Sequence, residues 1–287
     1  MTNVLELYAL GLTGGRGEGR VRARTRDGVG LTLPYERWLG PVDTVDEDLL
    51  SRARGPVIDL GCGPGRHLHA LARRGIFALG VDISQAAVTL ARDGGANALE
   101  ACILGELPGS GTWQTALLLD GNIGIGGRPT ELLARIGRLL APGGMLLVEL
   151  EARRPERRVL ELRLESPTRA SEWFPWAIVA AEEIAAVARR SGLSVVGTWE
   201  LGGRAFARLE RPPPSIFSGE TTVRGAFTGN RRLPQFGGLG SEDSRGVVAA
   251  GERVALRRRK AGDHQRDHPV GPPPTEGLEE QQPDQSE

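Results

Sequence analysis

The chain has 287 residues, enough for one α/β domain with additions but hardly for two, and its 36 basic and 36 acidic residues cancel. A net charge of zero provides no global field to attract nucleic acid or a membrane surface. Cys62 and Cys102 make neither a disulfide framework nor a zinc site, no apolar run reaches a spanning length, and residues 1–12 lack a leader's basic start, so a cytoplasmic protein is expected.

Residues 1–50 read as a preface. The segment Arg20 to Leu33 alternates around the turn dipeptide Asp27-Gly28, which predicts a hairpin, and Asp46 to Leu50 belongs to a short helix. Lys260 is the single lysine; the dominance of arginine fits a GC-rich coding sequence.

From Val57 onward, predicted strands and helices alternate, which implies a parallel sheet covered on both faces. Strands are expected at Pro56–Leu60, Phe77–Val81, Ala98–Leu104, Thr115–Leu119 and Met145–Leu150. Helices are expected over 66–74, stopped by Gly75, from Ser84 as cap to about 92, and from Pro129 with apolar residues at Leu132, Leu133, Ile136, Leu139 and Leu140. Beyond these, Leu160 to Leu164 alternates as a strand with one wet face, Trp173-Phe174-Pro175-Trp176 forms an aromatic insert, and a helix covers about 180–190. Residues 193–199 and 205–209 make a closing hairpin through Gly202-Gly203.

The first strand runs into Asp59-Leu-Gly61-Cys62-Gly63-Pro-Gly65, and the second ends at Asp82. Glycines here permit positive φ and close approach of the backbone to a ligand, and a carboxylate at the end of the second strand can take both hydroxyls of a ribose. The spacing is G-x-G-x-G, not the G-x-G-x-x-G of nicotinamide sites, and Asp59 would oppose a pyrophosphate. A cationic, phosphate-free adenosyl cofactor suits these charges.

These residues resemble the class I SAM-dependent methyltransferases. Asp59, Gly61, Gly63 and Gly65 match the family's D/E-x-G-x-G-x-G first motif, Asp82 its ribose-binding acid, and Leu140-Ala-Pro-Gly-Gly-Met-Leu-Leu-Val148 a second common phrase. The resemblance implies a doubly wound, Rossmann-like sheet of seven mainly parallel strands with an antiparallel last strand. It also implies S-adenosylmethionine as cofactor, held by Asp59, Gly61, Cys62, Gly63, Gly65, Asp82 and Ile83, and no metal. The adenine-binding acid after the third strand is missing, so either Glu106, the nearest acid, substitutes or the backbone does the work. The resemblance further implies that the preface covers the cofactor pocket, which makes Tyr35 and Trp38 candidates for lining it, beside a plain packing role.

After the fourth strand comes Asp120-Gly-Asn122-Ile-Gly-Ile-Gly-Gly127, polar and glycine-rich where backbone has reason to approach a ligand. Asp120 and Asn122 are therefore the candidate catalytic pair, Asp120 as proton acceptor or as partner of the cofactor's ammonium. Glu149 and Glu151 share one face, and His67 is read as a capping or surface residue.

The resulting organisation is a preface over 1–50, a methyltransferase domain over 51–210 and a disordered Pro/Gly/charged tail over 211–287 that contains Arg257–Lys260, His264 and His268. The expected activity is methyl transfer to a small-molecule acceptor, with no nucleic acid or membrane partner; a catalytically idle SAM-binding protein and a nicotinamide enzyme are the alternatives. Oligomeric state is not legible.

Overall fold

A helix, α1 (Val4–Thr13), starts the chain, its N-terminus capped by the Asn3 side chain, which accepts from the Leu5 N–H. Leu7, Gly11 and Leu12 lie on one face at helical spacing and are buried. The preface continues with β1 (Arg22–Thr25), β2 (Gly30–Leu31), the short α2 (Tyr35–Leu39) and α3 (Thr44–Ser51), which is held by a capping box between Asp43 and Asp46. This computed structural model describes residues 2–14, 21–152 and 159–213, which lie in one unit, Met1–Thr222. Past residue 213, the expected tail with Arg257–Lys260, His264 and His268 lies outside the described residues.

The central sheet follows the expected chain order. It contains β3 (Val57–Leu60), β4 (Ala78–Asp82), β5 (Ala98–Glu100), β6 (Trp113–Leu118) and β7 (Leu140–Leu150), with α4 (Arg66–Arg73), α5 (Gln85–Asp93) and α6 (Pro129–Leu139) between them. After an excursion through β8 (Val159–Glu165), β9 (Phe174–Ala177) and α7 (Ile184–Ser191), the hairpin β10 (Ser194–Leu201) and β11 (Arg204–Glu210) completes it. The spatial order is β10-β11-β7-β6-β3-β4-β5. Pairing is parallel from β7 to β5 and antiparallel on both sides of β11. The expected doubly wound sheet of seven strands is therefore present, with β11 as its antiparallel member.

Period-two alternation divides the core between the two faces. Ile58, Leu60, Ala116, Leu118, Leu146 and Val148 pack with α6 and α7, while Val57, Leu117, Leu119, Leu147 and Phe206 pack with α3, α4 and α5. The same alternation places Asp59, Glu149 and Arg204 on the second face, at the carboxyl end of the sheet. That placement creates the polar part of the site.

The hairpin expected in the preface is present as β1 and β2, and β1 also pairs with β8, giving a second sheet in the order β2-β1-β8-β9. Two expectations need correction. The aromatic insert is a strand, β9, on the edge of that sheet, where Pro175 is tolerated because an edge leaves its missing N–H without consequence. The third strand is also shorter than expected, ending at Glu100. No helix among the described residues is long and apolar enough to cross a membrane.

Candidate active site

The bend after β3 is fixed to the end of β4 by backbone bonds. The N–H groups of Gly61 and Cys62 both donate to the Val81 carbonyl, at 2.7 and 3.1 Å, and the Gly63 N–H donates to Asp82 Oδ2 at 2.9 Å. The other Asp82 oxygen accepts from the Ser84 N–H at 2.8 Å. Gly61, Gly63 and Gly65 all have positive φ, so the bend needs residues without a side chain. Burial raises the pKa of Asp82, with its backbone donors working against the shift. Ile83, next to Asp82, and Leu104, 3.4 Å from where a Cβ on Gly126 would sit, are about half exposed.

Tyr8 of α1 closes the bend from above. Its hydroxyl lies 3.5 Å from where a Cβ on Gly63 would sit, and its ring meets Trp38 edge-on at 6.1 Å. Burial, followed by the nearby Asp82 charge, holds its phenol well above the ordinary value, so it is a neutral hydrogen-bonding group.

The loop after β6 is held from several sides. Asp120 has φ +56°, a left-handed conformation for a non-glycine residue, and its N–H donates to Glu149 Oε2 at 2.8 Å. Its carboxylate takes two bonds from Arg66 Nη2, at 3.0 and 2.9 Å, and lies 2.9 Å from Arg37 Nη2. Asn122 Nδ2 donates back to the carbonyls of Leu60 and Gly61 at 3.2 and 3.0 Å, tying this loop to the glycine bend. On the other side, Ile125 pairs with Trp176 of β9.

Beneath the loop is a buried ionic network. Asp46, 1 % exposed, accepts from Arg66 Nη1 and from Arg204 Nη1, the latter at 2.8 Å. Arg204 also makes two bonds of 2.8 Å to Glu149. His67 lies between Asp46, at 3.7 Å, and Asp59, at 3.5 Å. Asp46, Asp59, Asp120 and Glu149 thus face Arg37, Arg66, Arg204 and His67, four acids against four bases. Burial would raise the pKa of Asp46, but the nearby His67, the bond from Arg204 and the Arg66 charge carry it far below the carboxylate range. Asp120 is likewise lowered, burial being outweighed by Arg66, His67 and Arg37.

Residues 57–144 match the family model described as a methyltransferase domain. This region of the chain is therefore similar to methyltransferase domains, in line with the resemblance that its glycine motif carries. A trans-aconitate 2-methyltransferase from Paracidovorax citrulli is 32% identical over 133 residues, covering 42% of this chain and 51% of that protein, so the chain spans about half the length of this curated relative. Among solved structures, a SAM-dependent methyltransferase from Bacteroides fragilis in complex with S-adenosyl-L-homocysteine superposes with a TM-score of 0.62 at 21% identity, covering 73% of this chain and 94% of that one. The PH0226 protein from Pyrococcus horikoshii gives 0.50 at 16% identity, over 63% and 92%.

S-adenosylmethionine is the cofactor that this resemblance implies, and the residues present fit it. The three glycines of the bend carry no side chain, the Asp82 carboxylate is anchored at its edge, and Ile83 beside Asp82 stands half exposed. Of the expected cofactor contacts, Gly61, Gly63, Gly65, Asp82 and Ile83 are gathered around the bend. Asp59 is corrected: it is 1 % exposed and its carboxylate faces His67, because period-two alternation turns it under the sheet's α3–α4 face. Cys62 is also corrected. Its N–H is taken by Val81, and a Cβ on Gly80 would lie 2.6 Å from its sulfur, so it packs inward; burial and then Asp59 raise its thiol pKa far out of the reactive range.

Glu106 is exposed on the loop after β5. Tyr35 is fully buried in the core under Gly11, not pocket-lining. His67 is buried rather than on the surface, and Glu151 is exposed while Glu149 joins the network. Sequence reasoning missed Tyr8, Arg37, Asp46 and Arg204. The helical spacing of Leu7, Gly11 and Leu12 could have directed attention to α1 and its Tyr8, whereas no local pattern marks the other three.

Proposed function

We propose that this protein transfers a methyl group from S-adenosylmethionine to a small-molecule acceptor, in the crevice between Asp82 and the loop Asp120–Gly127. The observation that carries this reading is the bend Gly61–Gly65, with its three glycines at positive φ, fastened to Asp82 and followed by the exposed Ile83. The cofactor supplies a methyl group on a sulfonium, already activated for displacement, so the protein's contribution is alignment and exclusion of water.

Each residue then has a specific task. Asp82 keeps lone pairs for the ribose hydroxyls beyond the two backbone donors it already accepts. Ile83 and Leu104 offer apolar cover to the adenine, and Glu106 is the acid available to its amino group. Gly61 and Gly63 leave room for the methionine part. Asn122 joins the two sides of the crevice through the Leu60 and Gly61 carbonyls. Asp120, already paired with two guanidiniums and lowered in pKa, serves as a fixed negative charge toward a cationic donor rather than as a proton acceptor. The preface contributes Tyr8 as part of the cover.

The relative named for trans-aconitate makes small organic acids the first acceptors to try. Calorimetric titration with S-adenosylhomocysteine tests the cofactor assignment. Asp82→Ala is expected to weaken binding by about 1–3 kcal/mol through loss of charge-assisted contacts. Folded protein that gives no heat with either S-adenosylmethionine or its demethylated product overturns the reading.

A further inference from the structure

Asp46 belongs to none of the family motifs, yet it has the largest number of ionic partners in the site. It lies in the first turn of α3, where its backbone and side chain complete the capping box with Asp43, so the helix itself fixes its position. From there it accepts from Arg66 and Arg204 and lies 3.7 and 3.9 Å from His67 and Arg37. Arg66 is the pivotal partner. One of its nitrogens binds Asp46 and the other binds both oxygens of Asp120, and its planar guanidinium transmits the position of one carboxylate to the other. Arg66 is 5 % exposed, so solvent cannot replace a lost partner.

The restrained residue requires such support. Asp120 occupies a left-handed φ with a full side chain, a conformation that persists only where surrounding contacts determine it. Its N–H is held by Glu149, which is in turn held by Arg204, the second cation bound to Asp46. Two routes therefore lead from Asp46 to Asp120, one to its carboxylate through Arg66 and one to its amide through Arg204 and Glu149.

We propose that Asp46 is a positioning residue of the methyl-transfer site, fixing Arg66 and Arg204 and, through them, the conformation of the loop Asp120–Gly127. Only the words "methyl-transfer" rest on the proposed function; the mechanical link stands on the contacts alone. Through this link α3 of the preface sets the geometry of the crevice wall opposite Asp82.

Amide hydrogen exchange on the full chain, combined with S-adenosylhomocysteine titration, tests the link. Asp46→Asn keeps the shape and removes the charge; Arg66→Lys keeps the charge and removes the fork. Each is expected to speed exchange across residues 120–127 by at least about tenfold, to leave the amides of β4 within about twofold, and to weaken S-adenosylhomocysteine binding by at least about threefold, because that loop carries Asp120 and Asn122. The double variant is expected to be no looser over 120–127 than the looser single one, as for two residues on one path. If Asp46→Asn does not melt cooperatively, Arg66→Lys decides alone. Unchanged exchange over 120–127 in a folded variant overturns the proposal, as does loosening spread equally over β4 and the loop. A wild-type protein that fails to bind S-adenosylhomocysteine refutes the proposed function instead, and leaves the exchange result to be read on its own.

Discussion

The wall of the proposed site made by the glycine bend, Asp82 and Ile83 comes from one β3-α4-β4 unit, whereas the second wall gathers Arg37, Asp46, Asp120, Glu149 and Arg204 from five other places in the chain around Arg66 of α4. The first wall is made of backbone. Its glycines and the two N–H bonds of Asp82 leave little that a side chain could alter. The second is made of long charged side chains under partial or full burial, where each group is stable only because its neighbours neutralise it. Proximity in sequence gives one wall a local signature; burial gives the other its cohesion without one.

A change at the junction of the two walls should have the largest effect. Gly61 has φ +78°, and a Cβ there would lie 2.4 Å from Asn122 Nδ2, the atom that ties the loop to the bend. Gly61→Ala therefore meets both backbone strain, about 1–3 kcal/mol, and displacement of Asn122. The expected outcome is a Tm lowered by roughly 4–8 °C and S-adenosylhomocysteine binding weakened by more than about thirtyfold. Calorimetry and thermal melts on the same preparation check both. An alanine variant that binds as wild type would mean that the walls are not joined at this point.

The same contrast explains what the sequence made legible. The strand, bend, helix and second strand of residues 57–82 could be read because apolar runs, glycines and acids fall at fixed short offsets, and a parallel sheet covered on both faces followed from the alternation of strands and helices. Asp59 was placed on the wrong side of the bend, since the motif fixes its position in the chain but only the pairing of β3 with β4 and β6 fixes the face it occupies. Asp46, Arg37 and Arg204 gave no signal, because an arginine-rich, neutral sequence offers many equivalent charges and nothing local selects those that meet. Phe174–Ala177 was not recognised as a strand because its proline argues against one unless it lies on an edge, and edges are set by tertiary pairing.

Titration sharpens the comparison next, because His67 belongs to the ionic wall alone. Burial by itself would lower its pKa, but the nearby carboxylates of Asp46 and Asp59, at 3.7 and 3.5 Å, push it up to about 9, against about 6.5 in an unfolded chain. Below about pH 6.5 both states carry the proton and the stabilisation is complete. Between 6.5 and 9 the unfolded chain binds fewer protons than the folded one, so stability falls as pH rises, by an amount on the order of 1–3 kcal/mol. Denaturant midpoints at pH 6, 7.5 and 9 should fall in that order, and His67→Gln should flatten the trend. A wild-type midpoint that is level from pH 6 to 9 contradicts a charged His67.

Tyr8→Phe makes the smallest change and acts on the backbone wall alone. The substitution removes a hydroxyl that faces Gly63 while preserving the ring against Trp38, so packing in the α1 cover is retained. One hydrogen bond to a bound ligand corresponds to about 0.5–1.5 kcal/mol, and S-adenosylhomocysteine should bind roughly 2- to 10-fold more weakly. Because Tyr8 forms no part of the paired charges around Asp46, hydrogen exchange over residues 120–127 should stay at the wild-type rate. A phenylalanine variant that loosened that loop would make the N-terminal helix a support of both walls and remove the distinction between them.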